Sequence, residues 1–226
     1  VDPQGEIAGF CDGTGAWLPL LCTMNVTNAT EHWKSVLGID NTGRDELAAR
    51  SPAGSDGLIF LPFVDGERVP VLPGASAVFF GLNRKNFAPA PMTRAVMEGT
   101  LLNLGYGLGR LRELGIDPAE IRATGGGSQS RFWLGLAADI FQVPVVTLAE
   151  PEGAAFGAAL QAVWTWRNER GEKIGIDALT RELVKTSGEA VEPHPGNRIV
   201  YAERQARFNA LWRRLAPEFR ADRAGG

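Results

Sequence analysis

The sequence comprises 226 residues, 44% of them hydrophobic and 22% charged, and its formal net charge is −3. A chain of this length can bury one sizeable core, and the weak negative charge gives no reason to expect nucleic acid, whose partners usually present a clustered basic face. No apolar run approaches the ~20 residues of a membrane helix, no secretory signal opens the sequence, and the two cysteines are too few for a disulfide framework. We therefore expect a cytoplasmic protein that binds neither nucleic acid nor membrane.

The first predicted element is a β-hairpin. Apolar runs at 7–10 and 17–22 flank the turn sequence CDGTGA, a pattern that is typical of a hairpin. The segment Asp12-Gly-Thr-Gly also resembles a phosphate-binding turn, but a tight turn is the simpler explanation at an exposed hairpin. We therefore expect Asp12 to stabilise the turn and not to bind phosphate.

Two helices and two strands should follow the hairpin. The first helix is expected to take Thr27 or Asn28 as its N-cap and to end at Leu37, because Gly38 follows. The other elements of this region are a short helix at 45–50, a buried strand at 57–64 and another short strand at 77–82.

A long, glycine-rich helix is predicted over 91–115. Apolar residues recur there near helical spacing, at positions 96, 101, 104, 108 and 111. Four glycines, at 99, 105, 107 and 109, lower the helix propensity of this segment. Glycine on a helix usually allows another group to approach closely, so we expect close contacts along this helix.

The rest of the sequence reads as alternating strands and helices. The order strand, helix, strand, helix predicts parallel strands joined by a right-handed crossover. These four elements are expected at 121–124, 130–141, 143–148 and 152–166. A short helix and a basic amphipathic helix should follow, at 177–185 and about 199–214. One compact α/β domain is the simplest organisation.

The sequence TGGGSQS forms a glycine-rich turn between a predicted strand and a predicted helix. Gly125, Gly126 and Gly127 allow close approach to the backbone, while Ser128 and Ser130 add hydroxyl groups without bulk. A turn of this kind leaves backbone N–H groups free to bind an anion or the edge of a sugar. The same residues are compatible with an ordinary strand–helix turn in which Ser130 is the N-cap.

A dinucleotide-binding fingerprint is another interpretation of the same turn. The spacing Gly125-x-Gly127-x-x-Ser130 approximates GxGxxG/A, and Glu150 lies where a ribose-binding acid would follow. That fingerprint normally follows the first strand of its domain, whereas a long region with a hairpin precedes it here. A Rossmann-type domain therefore stands as the alternative from another class.

Four segments together resemble the C-terminal half of the FGGY carbohydrate kinases. They are GLIFLPFVDGERVP, AVFFGL followed by MTRAVMEG, IRATGGGSQSRFWLGLAADIFQVPV, and EGAAFGAALQA, and the resemblance covers essentially the whole chain. It implies one lobe of the actin-like, ribonuclease H-like ATPase architecture, an α/β fold with a mixed sheet flanked by helices. Residues 1–226 would form a single nucleotide-binding lobe of a two-lobe kinase.

The resemblance also implies which residues lie near bound ATP. Five residues of the glycine loop would surround the adenosine, namely Gly125, Gly126, Gly127, Ser128 and Ser130. Asn28 falls where the family has a small residue near the nucleotide. The small residues that open the helix at 152–166 should pack against the sheet, and they are Gly153, Ala154, Gly157 and Ala158.

We expect no catalytic residue and no metal ligand in this sequence. The resemblance implies that the catalytic aspartate, in a GGGDN-like segment, and the β/γ-phosphate loop, a GTSG-like segment, would precede Val1. Neither segment occurs in this sequence. Asp65 and Glu67 are expected in a solvated loop. Surface or packing roles suffice for Glu98 and Asp139. His32 and His194 have no Ser, Cys or acidic partner at the spacing of a catalytic triad or a metal site.

The implied reaction is transfer of the γ-phosphoryl group of ATP to a hydroxyl of D-xylulose, with gluconate, ribulose and glycerol as alternative acceptors. Mg²⁺ would be held mostly outside this chain, the sugar would bind through the other lobe, and the full-length protein is expected to form a homodimer. One lobe cannot close over a substrate. We therefore expect this chain alone to bind ATP or ADP weakly and to lack kinase activity.

Overall fold

The computed structural model describes residues 2–221, so the first residue and the last five of the expected 1–226 lobe lie outside the described residues. Within this range the chain forms seven strands and seven α-helices. The strands are β1 (Ile7–Cys11), β2 (Trp17–Leu21), β3 (Ile59–Leu61), β4 (Val78–Phe80), β5 (Ile121–Ala123), β6 (Val145–Leu148) and β7 (Thr186–Val191). The helices are α1 (Thr27–Leu37), α2 (Asn41–Ala49), α3 (Pro89–Glu113), α4 (Arg131–Phe141), α5 (Gly153–Glu169), α6 (Ile176–Leu183) and α7 (Arg198–Ala221). No described helix combines the length and the apolar character needed to cross a membrane.

The predicted hairpin is present, with β1 and β2 antiparallel and Ile7 opposite Leu21. Asp12 organises its turn, because Oδ1 accepts hydrogen bonds from the Thr14 hydroxyl (2.6 Å) and from the N–H groups of Thr14 (2.8 Å) and Ala16 (3.0 Å). These bonds, that from the Thr14 hydroxyl foremost, hold the pKa of Asp12 below its usual value. The Asp12 carboxylate is therefore used within the turn.

The long helix α3 is the centre of the core. Its apolar side chains are buried against β3, α4 and α7. The close contacts expected at its glycines are present at three of the four, with Gly109 as the exception: a side chain at Gly99 would collide with the carbonyl group of Phe60 in β3. A side chain at Gly107 would likewise collide with Leu21 of the hairpin. Glycine on α3 thus lets two other elements lie against its backbone.

The glycine loop belongs to a three-stranded sheet in the order β5-β6-β7. β5 and β6 are parallel, with Ile121 opposite Val145, as the strand–helix–strand order predicts. β7 pairs with β6 in the antiparallel sense, so the sheet is mixed. No sequence pattern indicates β7, because TSGEAV is a mostly exposed edge strand without regular apolar alternation.

Helix α5 contradicts the predicted packing of its small residues. We expected four of them to pack against the sheet, namely Gly153, Ala154, Gly157 and Ala158. The last three are exposed, and a β-carbon placed at Gly157 meets no atom within 4 Å. The reason is that α5 packs on α6, and Leu160 is its buried residue within the described chain.

Helix α2 starts four residues earlier than predicted, at Asn41 and not at Asp45. Asp40 is its N-cap, and the Asp40 side chain accepts a hydrogen bond from the N–H of Gly43 at 2.8 Å. Asp45 therefore lies within the helix, where its side chain can face a neighbouring element.

Candidate functional site

The glycine loop leads from β5 into α4. Gly125 has a φ of +77°, in the left-handed region that favours glycine, and a 3₁₀ turn at Gly126–Gln129 follows. Ser130 is the N-cap of α4, and its Oγ accepts a hydrogen bond from the N–H of Trp133 at 2.9 Å. The capping role that the sequence allows for Ser130 is therefore present.

The loop presents unpaired backbone donors. Among the described residues, the N–H groups of Gly126 and Gly127 have no hydrogen-bond acceptor. A β-carbon placed at Gly126 would meet no atom within 4 Å, so the space before the loop is open. Unpaired N–H groups beside open space at the start of a helix favour an anion or a polar edge of a ligand.

A cavity of about 470 Å³ adjoins this loop. Its walls are formed by α1, by the first half of α2, and by the loop with the start of α4. The lining residues include Thr27, Thr30, Glu31, Asn41, Thr42, Arg44, Asp45, Gln129 and Trp133. A cavity of this size falls within the range of about 300–1,000 Å³ that is usual for small-molecule sites.

The N-terminus of α1 also faces this region without a cap. Val26, and not the predicted Thr27 or Asn28, occupies the N-cap position and supplies no side-chain acceptor. No acidic residue lies in the first turn of α1. No group of the helix itself therefore compensates the positive end of the helix dipole. Thr27 and Thr30, in the first turn of α1, line the cavity, so this end of the helix lies at the cavity wall.

Asp45 connects α2 to the glycine loop. Its Oδ2 accepts a hydrogen bond from the Oγ of Ser130 at 2.5 Å, and its Oδ1 accepts two from the Nε and Nη2 of Arg44, at 2.9 and 2.7 Å. The buried guanidinium of Arg44 lies 5.9 Å from the ring centre of Trp133. These four residues form a closed network that holds α2 against the start of α4.

The expected nucleotide-site residues of the loop have two different positions. Gly126, Gly127 and Ser130 line the cavity, whereas Gly125 and Ser128 do not. The N–H and the hydroxyl of Ser128 both donate to the carbonyl oxygen of Gly125, at 3.1 and 2.7 Å. Gly125 and Ser128 thus shape the turn that presents the other three.

Asn28 lies beside the cavity and does not line it. Its Nδ2 donates to the Oδ1 of Asn25 and to the Oδ2 of Asp65, both at 3.2 Å. Its Oδ1 is buried and has no partner within the described chain. Asn28 therefore joins the start of α1 to the loop that carries Asp65.

Glu67 contradicts the prediction of a solvated loop. It is only 1% exposed, and its carboxylate accepts hydrogen bonds from the N–H of Met24 (2.7 Å) and from the side-chain amides of Asn25 (3.1 Å) and Asn103 (3.0 Å). A charged group that is buried with several donors organises the surrounding chain. Asp65, the other acid of this loop, is exposed as expected.

The carboxylates of the cavity do not fit a magnesium site built by this chain. Within residues 2–221, no group of three or more His, Cys, Asp or Glu side chains could hold a metal ion. Glu31 pairs with Lys34 at 2.7 Å, and Asp45 pairs with Arg44 at 2.7 Å. Each acid of the cavity is thus already neutralised by a basic residue.

Sequence reasoning missed Arg44, Asp45 and Trp133. Asp45 is 85 positions from Ser130 in the sequence, and no motif links the two. The apolar spacing of 130–141 predicts α4 but does not show that Trp133 faces a cavity. Only the packing of α2 on α4 brings these side chains together.

Known carbohydrate kinases resemble this chain in sequence and in fold. A model of the C-terminal domain of the FGGY family of carbohydrate kinases matches residues 7–166. Xylulose kinase of Haemophilus influenzae is 42% identical over 166 residues, which are 74% of this chain and 33% of that protein. Xylulose kinase from Rhodospirillum rubrum superposes with a TM-score of 0.82 and 32% identity, over 96% of this chain and 43% of the other. Gluconate kinase from Lactobacillus acidophilus superposes with a TM-score of 0.85 and 26% identity, over 97% of this chain and 44% of the other.

The chain thus spans less than half the length of these relatives, between 33% and 44%. Because the matches are carbohydrate kinases with the same fold, the Rossmann-type alternative is not supported. Glu150, its expected ribose-binding acid, is exposed and does not line the cavity; its Oε1 accepts a hydrogen bond from the N–H of Glu152 at 3.2 Å.

Proposed function

Because the chain belongs to the FGGY family of carbohydrate kinases, we propose that it is the nucleotide-binding lobe of a two-lobe enzyme that transfers the γ-phosphoryl group of ATP to a hydroxyl of D-xylulose. The products would be xylulose 5-phosphate and ADP. In this proposal the cavity beside α4 holds the nucleotide, with Gly126, Gly127 and Ser130 next to the adenosine.

One observation carries the nucleotide assignment: residues with unpaired backbone donors line a single cavity. The N–H groups of Gly126 and Gly127 and the uncapped start of α1 lie on its walls. A nucleoside with negatively charged phosphates matches such a site, because fixed N–H dipoles attract anions while the absent side chains leave room for the base and sugar.

The base that takes the proton of the sugar hydroxyl would lie on another lobe. Phosphoryl transfer depends mainly on positioning and on electrostatic stabilisation, with a carboxylate that orients the attacking hydroxyl. In the described chain, the cavity acids Glu31 and Asp45 are paired with basic residues, and Glu67 is buried among donors. None of these three is free to act as the base. This chain would therefore contribute the binding of ATP, the phosphoryl donor.

Magnesium would be bound by groups other than the paired acids of this cavity. When bound, it would neutralise charge on the donor phosphates. The residues of this lobe would then bind and orient the nucleoside end of ATP.

D-Xylulose is the acceptor that the sequence similarities favour. The xylulose kinase of Haemophilus influenzae is 42% identical to this chain, whereas the gluconate kinase of Lactobacillus acidophilus is 26% identical. The gluconate kinase nevertheless superposes with a TM-score of 0.85, so gluconate, ribulose and glycerol are the alternatives to test.

Two measurements test this proposal. Calorimetric titration of the purified 226-residue chain with ADP, ATP and NAD should give weak binding of both adenine nucleotides and no tighter binding of NAD. A coupled assay of ADP formation should detect no sugar-dependent activity of this chain, while the full-length protein should prefer D-xylulose to D-ribulose, gluconate and glycerol. Sugar phosphorylation by the purified chain alone, or tight NAD binding that requires Glu150, would overturn the proposal.

A further inference from the structure

Asp45 has an acceptor position that the protein does not use. An ionised carboxylate offers about four lone-pair sites to hydrogen-bond donors. Arg44 occupies two of them through Oδ1, and the Oγ of Ser130 occupies one at Oδ2. The Asp45 side chain is 20% exposed and lines the cavity, so the remaining position is open to a ligand.

The surroundings of Asp45 fix its direction. Arg44, whose side chain is 8% exposed, holds Oδ1, and the capping residue Ser130 holds Oδ2. Because both oxygens are held, the carboxylate cannot turn away from the cavity without breaking the link between α2 and α4. A fixed acceptor of this kind distinguishes ligands by whether they present a donor or an acceptor to it.

We infer that Asp45 accepts a hydrogen bond from a donor group of the bound nucleoside and thereby determines which nucleotides this lobe accepts. The donor is the 6-amino group of the base or a hydroxyl of the ribose, and these two groups share the same chemistry towards a carboxylate. A nucleotide that places a carbonyl oxygen there is rejected, because two acceptors face each other without a proton. This inference rests on the proposed nucleotide site and adds a specificity-determining residue to it.

Chemically matched nucleotides can test the inference. Dissociation constants of the purified protein would be measured for ATP, for ITP, which has a 6-oxo group in place of the amino group, and for 2′-deoxy-ATP and 3′-deoxy-ATP. The wild-type protein should bind ATP at least about tenfold more tightly than either ITP or one of the deoxy nucleotides, as expected for loss of a hydrogen bond to a charged group. Weaker binding of ITP identifies the 6-amino group as the donor, and weaker binding of a deoxy nucleotide identifies the ribose hydroxyl that this nucleotide lacks.

The variant Asp45→Asn should remove this preference, so that ATP and the discriminated nucleotide bind within about threefold of each other. Asp177→Asn is the matched control, because Asp177 forms an exposed ion pair with Arg181 on α6 and does not line the cavity. Ser130→Ala retains the carboxylate of Asp45 but removes the hydrogen bond that holds its Oδ2, so it should weaken the preference without abolishing it and should lower stability.

Several outcomes would overturn the inference. They are equal affinities of the wild-type protein for all four nucleotides, an equal loss of affinity for all four in Asp45→Asn, and an unchanged preference in Ser130→Ala. If Asp45→Asn fails to fold, the ratios of the wild-type dissociation constants and the preference of Ser130→Ala still test the inference. A protein that binds no nucleotide at all would instead overturn the proposed function itself.

Discussion

The core around α3 and the cavity beside α4 use polar groups in opposite ways. In the core, the carboxylate of Glu98 is 2% exposed and accepts hydrogen bonds from Arg94 (2.7 Å), the N–H of Gly54 (3.0 Å), Ser55 (2.8 Å) and Tyr201 (2.8 Å). At the cavity, by contrast, the N–H groups of Gly126 and Gly127 have no partner in the described chain, and the space beside Gly126 is open. The satisfied carboxylate of Glu98 fixes the fold, whereas the unpaired N–H groups of the glycine loop are where a ligand is expected.

This contrast predicts that changes in the core should affect stability, while changes at the cavity should affect binding. Glu98→Ala should cause the largest loss of stability, about 3–5 kcal/mol in the free energy of unfolding, because it leaves a buried guanidinium unpaired. Urea unfolding followed by circular dichroism measures this loss. Glu182→Ala, at an exposed position of α6, is the control and should change stability by less than ~0.5 kcal/mol. Equal effects of the two substitutions would contradict the role given to Glu98.

Two tyrosines, Tyr201 in the Glu98 network and Tyr106 beside Glu6, predict how the protein responds to alkaline pH. Burial raises the pKa of Tyr201, and the charge of Glu98 raises it further; burial and the hydrogen bond to Glu6 raise the pKa of Tyr106. Both folded-state pKa values lie above the usual 10.0, so the folded protein holds these two protons more tightly than the unfolded chain does. The stability that depends on the protonated tyrosines is fully present below pH 10.0 and is lost as the pH rises above it. These are the two tyrosines of the sequence. Tyrosinate absorbance should therefore appear only as the protein unfolds, and a tyrosinate signal from folded protein would contradict the prediction.

At the cavity, Gly126→Val should weaken binding without unfolding the protein. The new side chain would enter open space in which no protein atom lies within 4 Å of a β-carbon. We expect the dissociation constant for ADP to rise at least about tenfold, which corresponds to ~1.4 kcal/mol, with unfolding free energy changed by less than ~1 kcal/mol. Gly135→Ala adds a β-carbon in open space on α4 away from the cavity, and its affinity for ADP should equal that of the wild type. Unchanged ADP affinity in Gly126→Val would place the nucleotide elsewhere.

The smallest expected effect distinguishes between the glycines of α3. A β-carbon placed at Gly109 would have no atom within 4 Å, unlike one placed at Gly99 or Gly107. Gly109→Ala should therefore stabilise the protein by about 0.5–1 kcal/mol, because alanine has the higher helix propensity. Thermal unfolding measures this gain. A loss of stability would mean that Gly109, like Gly99, is needed for a close contact.

Local signals in the sequence predicted much of the fold. The glycines of α3 indicated close contacts, and Gly38 indicated the end of α1, where it adopts a φ of +64°. Ser130 was a candidate N-cap, and its side chain caps α4. The end of α1 and the cap of α4 depend on residues within a few positions of one another, so the sequence alone can reveal them. The glycines of α3 indicate that another element lies close but not which one.

The features that could not be predicted depend on contacts between distant segments. Glu67 is buried because Met24, Asn25 and Asn103 donate to it, and nothing within its own loop indicates that environment. The small residues of α5 predict packing on the sheet, because small residues usually indicate close packing, whereas α5 lies on α6 and three of them are exposed. Asp45 is likewise joined to the site only by folding, through Ser130.

The most direct test of the nucleotide site is a two-dimensional ¹⁵N–¹H NMR titration of the labelled protein with ADP. We predict that the largest shifts affect the backbone N–H signals of Gly126, Gly127 and Ser130, followed by those of Thr27 and Asp45. Largest shifts around Glu150, or no shifts in the glycine loop at saturating ADP, would contradict a nucleotide site beside α4.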